Sequence, residues 1–126
     1  MITEPRSLPA AASAQEAGEV LVPREVRAVY VVGERGELVG VVTRKTLVAA
    51  VVATGRSPGE TRLADIAEAP HYTIGPDVPL EEAFRFLEEQ DAERVPVVED
   101  GRLIGVVSRA VLKRRLAEDE DRIDDE

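Results

Sequence analysis

Residues 40–47 (Gly-Val-Val-Thr-Arg-Lys-Thr-Leu) recur 65 positions later as residues 105–112 (Gly-Val-Val-Ser-Arg-Ala-Val-Leu), with five of the eight positions identical. Each block is an apolar run that ends at a hydroxyl residue, Thr43 or Ser108, and both are good N-cap residues for a helix. Repetition at a fixed separation indicates a duplicated structural unit. The sequence therefore predicts two copies of one small fold, and we expect any functional site to lie between them.

The similarity extends upstream of both blocks. Residues 29–32 match residues 95–98, and a glycine-containing turn joins each apolar segment to the block that follows, which predicts one β-hairpin in each copy. An amphipathic helix precedes each hairpin: Ser13 and Glu16 have capping-box spacing in the first copy, and apolar residues recur at helical spacing from Leu80 in the second. With a short extended segment ahead of each helix, both copies are predicted to run strand, helix, strand, strand, helix.

Four segments follow from this pattern. The first repeat is predicted over residues 1–55 and the second over residues 63–118. Turn-forming residues between them make residues 56–62 the predicted linker. Residues 119–126 form a strongly acidic tail, which we predict to be disordered and solvated.

Composition narrows the functional classes. The chain has 126 residues, 44% of them hydrophobic and 33% charged, as expected of a folded globular protein. Its net charge of −9 argues against nucleic acid or an anionic membrane as the main partner. With no cysteine and one histidine, the sequence offers neither a Cys/His metal site nor the usual catalytic residues, so we predict that it is not an enzyme. The longest apolar run, from Leu47 to Ala53, is far short of the roughly 20 residues that span a bilayer, and we expect a cytoplasmic protein.

The two copies resemble a tandem pair of cystathionine-β-synthase (CBS) domains, the arrangement called a Bateman module. The resemblance rests on a Gly-apolar-apolar-(Thr/Ser)-Arg signature after a (Tyr/Pro)-Val-Val strand, and it covers nearly all of the chain up to about Leu116. It implies an α/β (α+β) fold in which two pseudo-symmetric β-α-β-β-α repeats pack through their sheets. It also implies clefts that bind adenosine-containing ligands such as AMP, ADP, ATP or S-adenosylmethionine, and assembly as a homodimer.

Arg44 and Arg109 directly follow the two N-cap residues. A helix N-terminus presents unpaired N–H groups and a partial positive charge, so a basic side chain there is unfavourable unless an anion lies between the two. The arginines therefore indicate a phosphate or a partner carboxylate. Solvated arginines whose stems lie on the surface are the alternative.

One position departs from the family's pattern in both copies. Many nucleotide-binding members carry an aspartate three residues after the Thr/Ser, where it accepts hydrogen bonds from both ribose hydroxyls; this chain has Thr46 and Val111. A threonine hydroxyl replaces part of that interaction and valine replaces none, and a buried unpaired ribose hydroxyl costs about 1–3 kcal/mol. The sequence therefore favours the first site over the second. Alternatively, Thr46 is simply the third residue of its helix.

The apolar strands supply the remaining candidates, because an adenine ring can pack on their flat face. Ordinary core packing explains the same valines equally well. Pro96, which lacks an N–H, suits a strand position that faces a cleft, and Tyr30 is its counterpart in the first copy. The full set of predicted ligand-binding residues is Leu8, Tyr30, Val31, Thr43, Arg44, Thr46, Ile74, Pro96, Val97, Ser108 and Arg109.

Three functions remain open from the sequence. The favoured one is a regulatory module that senses an adenine nucleotide or a related anionic metabolite and acts through an unidentified effector protein. A ligand-free dimerisation or protein-interaction scaffold with degenerate nucleotide sites is the alternative, supported by Thr46 and Val111. A small enzyme is the third, for which the chain has almost no suitable side chains.

Overall fold

The computed structural model of the chain describes residues 2–3 and 5–124, which divide into two compact units. The first-repeat unit is Pro5–His71 together with Gly101–Leu103. The second-repeat unit is Tyr72–Asp100, the chain from Ile104 onward and the N-terminal strand β1 (Ile2–Thr3). The predicted α+β fold class is confirmed, since strands and helices alternate along both repeats.

The first-repeat unit is built on a three-stranded sheet in the order β2 (Ser7–Pro9), β3 (Val29–Val32), β4 (Leu38–Val42). Strands β2 and β3 are parallel, and β3 and β4 form the predicted hairpin. Helix α1 (Ala14–Val20) follows β2 and begins with the predicted capping box of Ser13 and Glu16. Small and branched apolar side chains fill the core, chiefly Ala17, Val29, Val31, Val42, Val51 and Leu63.

The helix after β4 changes its winding. It begins as α2 (Arg44–Leu47) and continues as a π-helix over Val48–Val52, whereas the sequence predicts one regular helix toward Gly55. Valine loses side-chain freedom in a helix, so this valine-rich stretch holds the regular winding weakly. The Thr54 hydroxyl also donates to the Ala50 carbonyl at 2.7 Å, a contact that bends helices.

The segment between the repeats packs on the first-repeat unit. Leu63 and Ile66, at the two ends of the short helix α3 (Leu63–Ile66), are buried in the core of that unit. Beyond α3, Glu68 pairs antiparallel with Val41 of β4. The sequence predicts a linker at residues 56–62 and a second repeat from residue 63, and these bounds stay a prediction. In the structure, residues up to His71 pack with the first-repeat unit, and the apolar side chains of α3 are buried there.

The second-repeat unit follows the same plan with longer elements. Its sheet has the order β1, β6 (Arg102–Ser108), β5 (Arg94–Glu99), and the predicted hairpin joins β5 to β6. Helix α4 (Leu80–Glu89) precedes the hairpin and α5 (Arg109–Asp124) follows it. Where the sequence predicts a strand around Ile74, the structure has a single parallel bridge to Val97. The core consists chiefly of Ala83, Leu87, Val95, Val97, Val107 and Leu112.

Both sheets gain an edge partner in the same way. Thr3 pairs antiparallel with Val106, and Glu68 pairs antiparallel with Val41. Val106 lies 65 positions after Val41, and Glu68 lies 65 positions after Thr3. The two pairs therefore have the same spacing as the repeated blocks. The duplication therefore includes the short segments around Thr3 and Glu68, near the start of each repeat.

The acidic tail differs from its prediction. The sequence predicts disorder from residue 119, but α5 continues to Asp124. No glycine or proline interrupts residues 109–124, and a basic run precedes the acidic one, so opposite charges lie one turn apart. Residues 125–126 lie outside the described part of the chain. Among the helices of residues 2–3 and 5–124, none has both the length and the apolar character needed to cross a membrane.

Gly40→Ala tests the contact between β4 and the segment after α3. A Cβ atom at Gly40 would lie 2.8 Å from Ala67 Cβ and 2.8 Å from the Glu68 carbonyl oxygen. Overpacking of this kind costs about 1–3 kcal/mol, so the free energy of unfolding in urea should fall by that amount. Gly75→Ala is the control, because its Cβ would meet no atom within 4 Å, and it should change stability by less than about 0.5 kcal/mol. Equal stability of the Gly40→Ala variant and the wild type would contradict the close approach.

Candidate functional site

Each repeated block forms a strand-to-helix junction. In the first-repeat unit, β4 ends at Val42, Thr43 has an extended backbone, and α2 begins at Arg44. The Thr46 N–H donates to the Thr43 hydroxyl at 3.2 Å, and the Thr43 N–H donates to the Thr46 hydroxyl at 3.0 Å. The two hydroxyl oxygens are 3.1 Å apart. The junction is therefore closed by a reciprocal capping box.

Thr46 serves this junction. It occupies the third helical position and is 2% exposed. Its hydroxyl accepts the Thr43 N–H and bonds the Thr43 hydroxyl, so its hydrogen-bonding capacity is largely used inside the protein. A ribose would have to break the capping box to reach Thr46.

The junction of the second-repeat unit is more open. The half-buried Ser108 accepts the Val111 N–H at 3.4 Å, and Val111 has no polar group to complete a reciprocal box. Helix α5 runs for 16 residues from this point, whereas α2 has four α-helical residues. Because the cap of α5 is less complete than that of α2, the start of α5 is the better of the two places for an anionic group.

Arg44 links two helices of the first-repeat unit. Its guanidinium Nη2 donates to the Leu21 carbonyl at 2.5 Å and to the Pro23 carbonyl at 2.6 Å. Leu21 is the C-cap of α1, where unpaired carbonyls and the negative end of the helix dipole favour a cation. Arg44 therefore holds the start of α2 to the end of α1, a role that neither sequence interpretation included.

Arg109, at the equivalent position, is held more weakly. Its guanidinium Nη1 lies 3.6 Å from a carboxylate oxygen of Asp91, and the two side chains are 30% and 98% exposed. Asp91 has a φ of 50° and lies just beyond the end of α4. An exposed ion pair of this kind contributes about 0–1 kcal/mol. The guanidinium can therefore turn from Asp91 to a more strongly charged anion at little cost.

The predicted ligand-binding residues on β3 and β5 fall into two groups, because successive side chains of a strand point to opposite faces. Val31 and Val97 belong to the two cores and are 0% and 1% exposed. They pair in parallel with Leu8 and Ile74, so the structure brings together one pair of predicted residues in each unit. Both valines therefore pack in the cores of their units.

Tyr30 and Pro96 are each one residue along from these valines and point to the opposite face of their strands. Both are buried. Of the predicted ligand-binding residues on β3 and β5, Tyr30 and Pro96 therefore face away from the core of their own unit.

A small cavity lies inside the second-repeat unit. Ile74, Val97, Val107 and Leu112 are among its lining residues, and its volume is about 10 Å³. That volume is close to the minimum for one water molecule, and the lining is largely apolar. An adenine ring does not fit inside this cavity.

Sequence reasoning missed the partners of both arginines. The Leu21 and Pro23 carbonyls lie 23 and 21 residues before Arg44 and carry no side-chain signal, because every residue has a carbonyl. Asp91 carries a weak signal: aspartate follows a helix end readily because it tolerates a left-handed backbone. That signal concerns the turn and says nothing about the arginine.

Comparison with known proteins places both repeats in one family. A family model described as CBS domain matches residues 1–53 and 63–118. Together these segments cover most of the chain.

Individual relatives are more distant. An uncharacterised protein of Methanopyrus kandleri is 34% identical over 84 residues, which are 66% of this chain and 43% of that protein. The A-adding tRNA nucleotidyltransferase of Aquifex aeolicus is 31% identical over 123 residues, which are 98% of this chain and 14% of the enzyme. The chain thus spans less than half the length of either relative. Among solved structures, that of CBSX2 in complex with AMP superposes with a TM-score of 0.74 at 26% identity and covers 94% of this chain and 95% of that one.

The two arginines should respond differently to removal. Arg44→Ala leaves two carbonyls at the end of α1 without their charged donor, so the free energy of unfolding should fall by about 1–3 kcal/mol. Arg109→Ala removes an exposed ion pair and should lower it by less than about 1 kcal/mol. Urea unfolding followed by circular dichroism measures both. Equal decreases in the free energy of unfolding would show that the contacts of Arg44 are no more stabilising than the ion pair of Arg109.

Proposed function

The chain belongs to the CBS domain family, and from that membership we propose that it is a regulatory module that binds an adenine nucleotide or a related anionic metabolite. Members of this family are generally regulatory and non-catalytic. Ligand binding would change the packing of the repeats, and an effector protein would respond to that change. The effector is either a further part of a longer protein or a separate partner.

The observation that carries the proposal is the AMP-bound relative. CBSX2 in complex with AMP matches nearly the full length of this chain, so the comparison extends over both repeats. AMP is therefore the first ligand to test, followed by ADP, ATP and S-adenosylmethionine.

The contacts within each unit favour the second-repeat unit as the stronger binding half. Thr46 and Arg44 already have partners inside the first-repeat unit. Ser108 and Arg109 are less engaged and lie at the start of the longest helix. The sequence favours the first site because Thr46 has a hydroxyl that could bind a ribose. That hydroxyl is bonded to Thr43 in the structure, so we favour the second site instead.

We expect the phosphate to contribute more than the ribose. Ser108 and the Arg109 guanidinium suit a phosphate, whereas Val111 offers no acceptor for the ribose hydroxyls. A ligand held in this way would be distinguished by its charge more than by its sugar.

AMP should raise the melting temperature of the purified chain in a concentration-dependent manner. Saturation to 100 times Kd stabilises a protein by about 2.7 kcal/mol, which corresponds to a shift of several degrees for a domain of this size. 2′-Deoxy-AMP should give a similar shift, because the ribose hydroxyls contribute little. Differential scanning fluorimetry measures both.

The controls use matched arginines. Arg109→Ala should abolish the AMP shift at little cost to the starting melting temperature. Arg114→Ala removes one exposed positive charge from the same helix and should keep the shift. No shift of the wild type with AMP, ADP, ATP or S-adenosylmethionine at millimolar concentration would overturn the proposal.

A second candidate function is a homodimerisation scaffold, and one observation favours it. Val22, Val48 and Val52 of the first-repeat unit are 77%, 57% and 71% exposed, and burial of these side chains against a second copy would be favourable. We propose that the chain forms a homodimer in either case. The scaffold function alone would give a stable dimer in sedimentation experiments with no response to nucleotides, whereas the ligand-binding function adds the thermal shift.

A further inference from the structure

Asp91 has an unusual backbone conformation at the end of α4. Its φ is 50°, a left-handed conformation that is unfavourable for most residues other than glycine. The Asp91 N–H donates to the Glu88 carbonyl at 3.1 Å, and the Ala92 N–H donates to the Leu87 carbonyl at 2.9 Å. These two bonds form a Schellman motif, in which glycine is the usual residue at the position of Asp91. The turn therefore does not require a carboxylate here.

The backbone on both sides of Asp91 is fixed. The Schellman motif holds it to the end of α4, and the next residue, Ala92, is buried in the core of the second-repeat unit. The Glu93 carbonyl accepts the backbone N–H of Arg109, the first residue of α5, at 2.8 Å. Asp91 therefore presents its carboxylate from a fixed segment beside the start of α5.

The Asp91 carboxylate lies 3.6 Å from the Arg109 guanidinium. Arg109 is the residue that we assign to the phosphate of a ligand, so this guanidinium already has a negative partner in the free protein. A phosphate that binds Arg109 must either displace the carboxylate or lie beside it. Like charges repel in both cases, so the carboxylate opposes the binding of the phosphate.

The first repeat has a different arrangement. Residues 29–32 match residues 95–98 at a separation of 66, which places Glu25 at the position of Asp91. The Arg44 guanidinium donates to two backbone carbonyls instead of a carboxylate. The carboxylate partner therefore belongs to the arginine of the second-repeat unit, where we propose that the ligand binds.

We propose that Asp91 is an internal competitor of the ligand: its carboxylate occupies Arg109 when no ligand is bound and lowers the affinity of the site for anions. This rests on the proposed function, because it concerns the same arginine, and it adds what sets the affinity there. The competition is weak enough for a phosphate to succeed, because exposed ion pairs contribute little. The Kd of the site is nevertheless higher than it would be without the carboxylate, and the module responds at a higher ligand concentration.

Asp91→Asn tests the competition. It removes the charge and keeps the shape of the side chain, and asparagine tolerates a left-handed backbone. The Kd for AMP, measured by isothermal titration calorimetry at low salt, should fall by about two- to fivefold, because Arg109 no longer has a negative partner. Asp91→Gly should give the same gain, because glycine adopts a φ of 50° readily. It provides a second test if Asp91→Asn fails to fold by circular dichroism.

Two controls separate competition from a general effect on the protein. Adenosine, which lacks the phosphate, should bind the wild type and Asp91→Asn with equal affinity, because it has no charge to place at Arg109. Glu81→Gln removes one exposed negative charge at the opposite end of α4 and should leave the Kd for AMP unchanged, because charges far apart at the surface are screened.

The outcomes distinguish this inference from the proposed function. If the wild type binds AMP and both Asp91 variants bind it with the same Kd, the competition is overturned while the proposed function stands. A gain of equal size for adenosine would also overturn the competition. If neither the wild type nor the variants bind AMP, ADP, ATP or S-adenosylmethionine, the proposed function is overturned and the competition with it.

Discussion

The antiparallel contacts of β4 and β6 with the short segments around Glu68 and Thr3 constrain the rest of the structure. Glu68 pairs with Val41, and Thr3 pairs with Val106, at the same spacing as the repeated blocks. A strand edge without a partner leaves its backbone groups unpaired, so these short segments complete the sheets. The first contact brings backbone so close to Gly40 that a Cβ atom would overlap it. The glycine that begins the repeated block therefore has a packing role.

The same local sequence produces two different junctions. Both blocks start a helix at a hydroxyl residue followed by arginine, yet Arg44 binds two backbone carbonyls while Arg109 forms an exposed ion pair. The difference lies in the contacts of each arginine: the Leu21 and Pro23 carbonyls accept from Arg44, and Asp91, just after α4, pairs with Arg109. In the second-repeat unit, the weaker cap and the weaker ion pair leave polar groups that an anion can use. The duplicated fold therefore contains two unequal halves.

This inequality connects the ligand proposal with the dimer proposal. The first-repeat unit has a closed junction and three exposed valines, features that suit a contact with another protein. The second-repeat unit has the more open helix start, which suits an anionic group.

The sequence alone determined the duplication, the order of strands and helices, both hairpins and the capping box of Ser13 and Glu16, because these depend on periodicity and on residues close together in the chain. It also identified the family, since the signature occurs twice in register. Tertiary structure decided that Thr46 is enclosed by its own cap, that Val31 and Val97 belong to the cores, and that residues 56–71 join the first unit. It also decided what each arginine contacts. These outcomes depend on backbone carbonyls and neighbours some 20 residues away, which have no signature in a single sequence because any residue can supply a carbonyl or a buried surface.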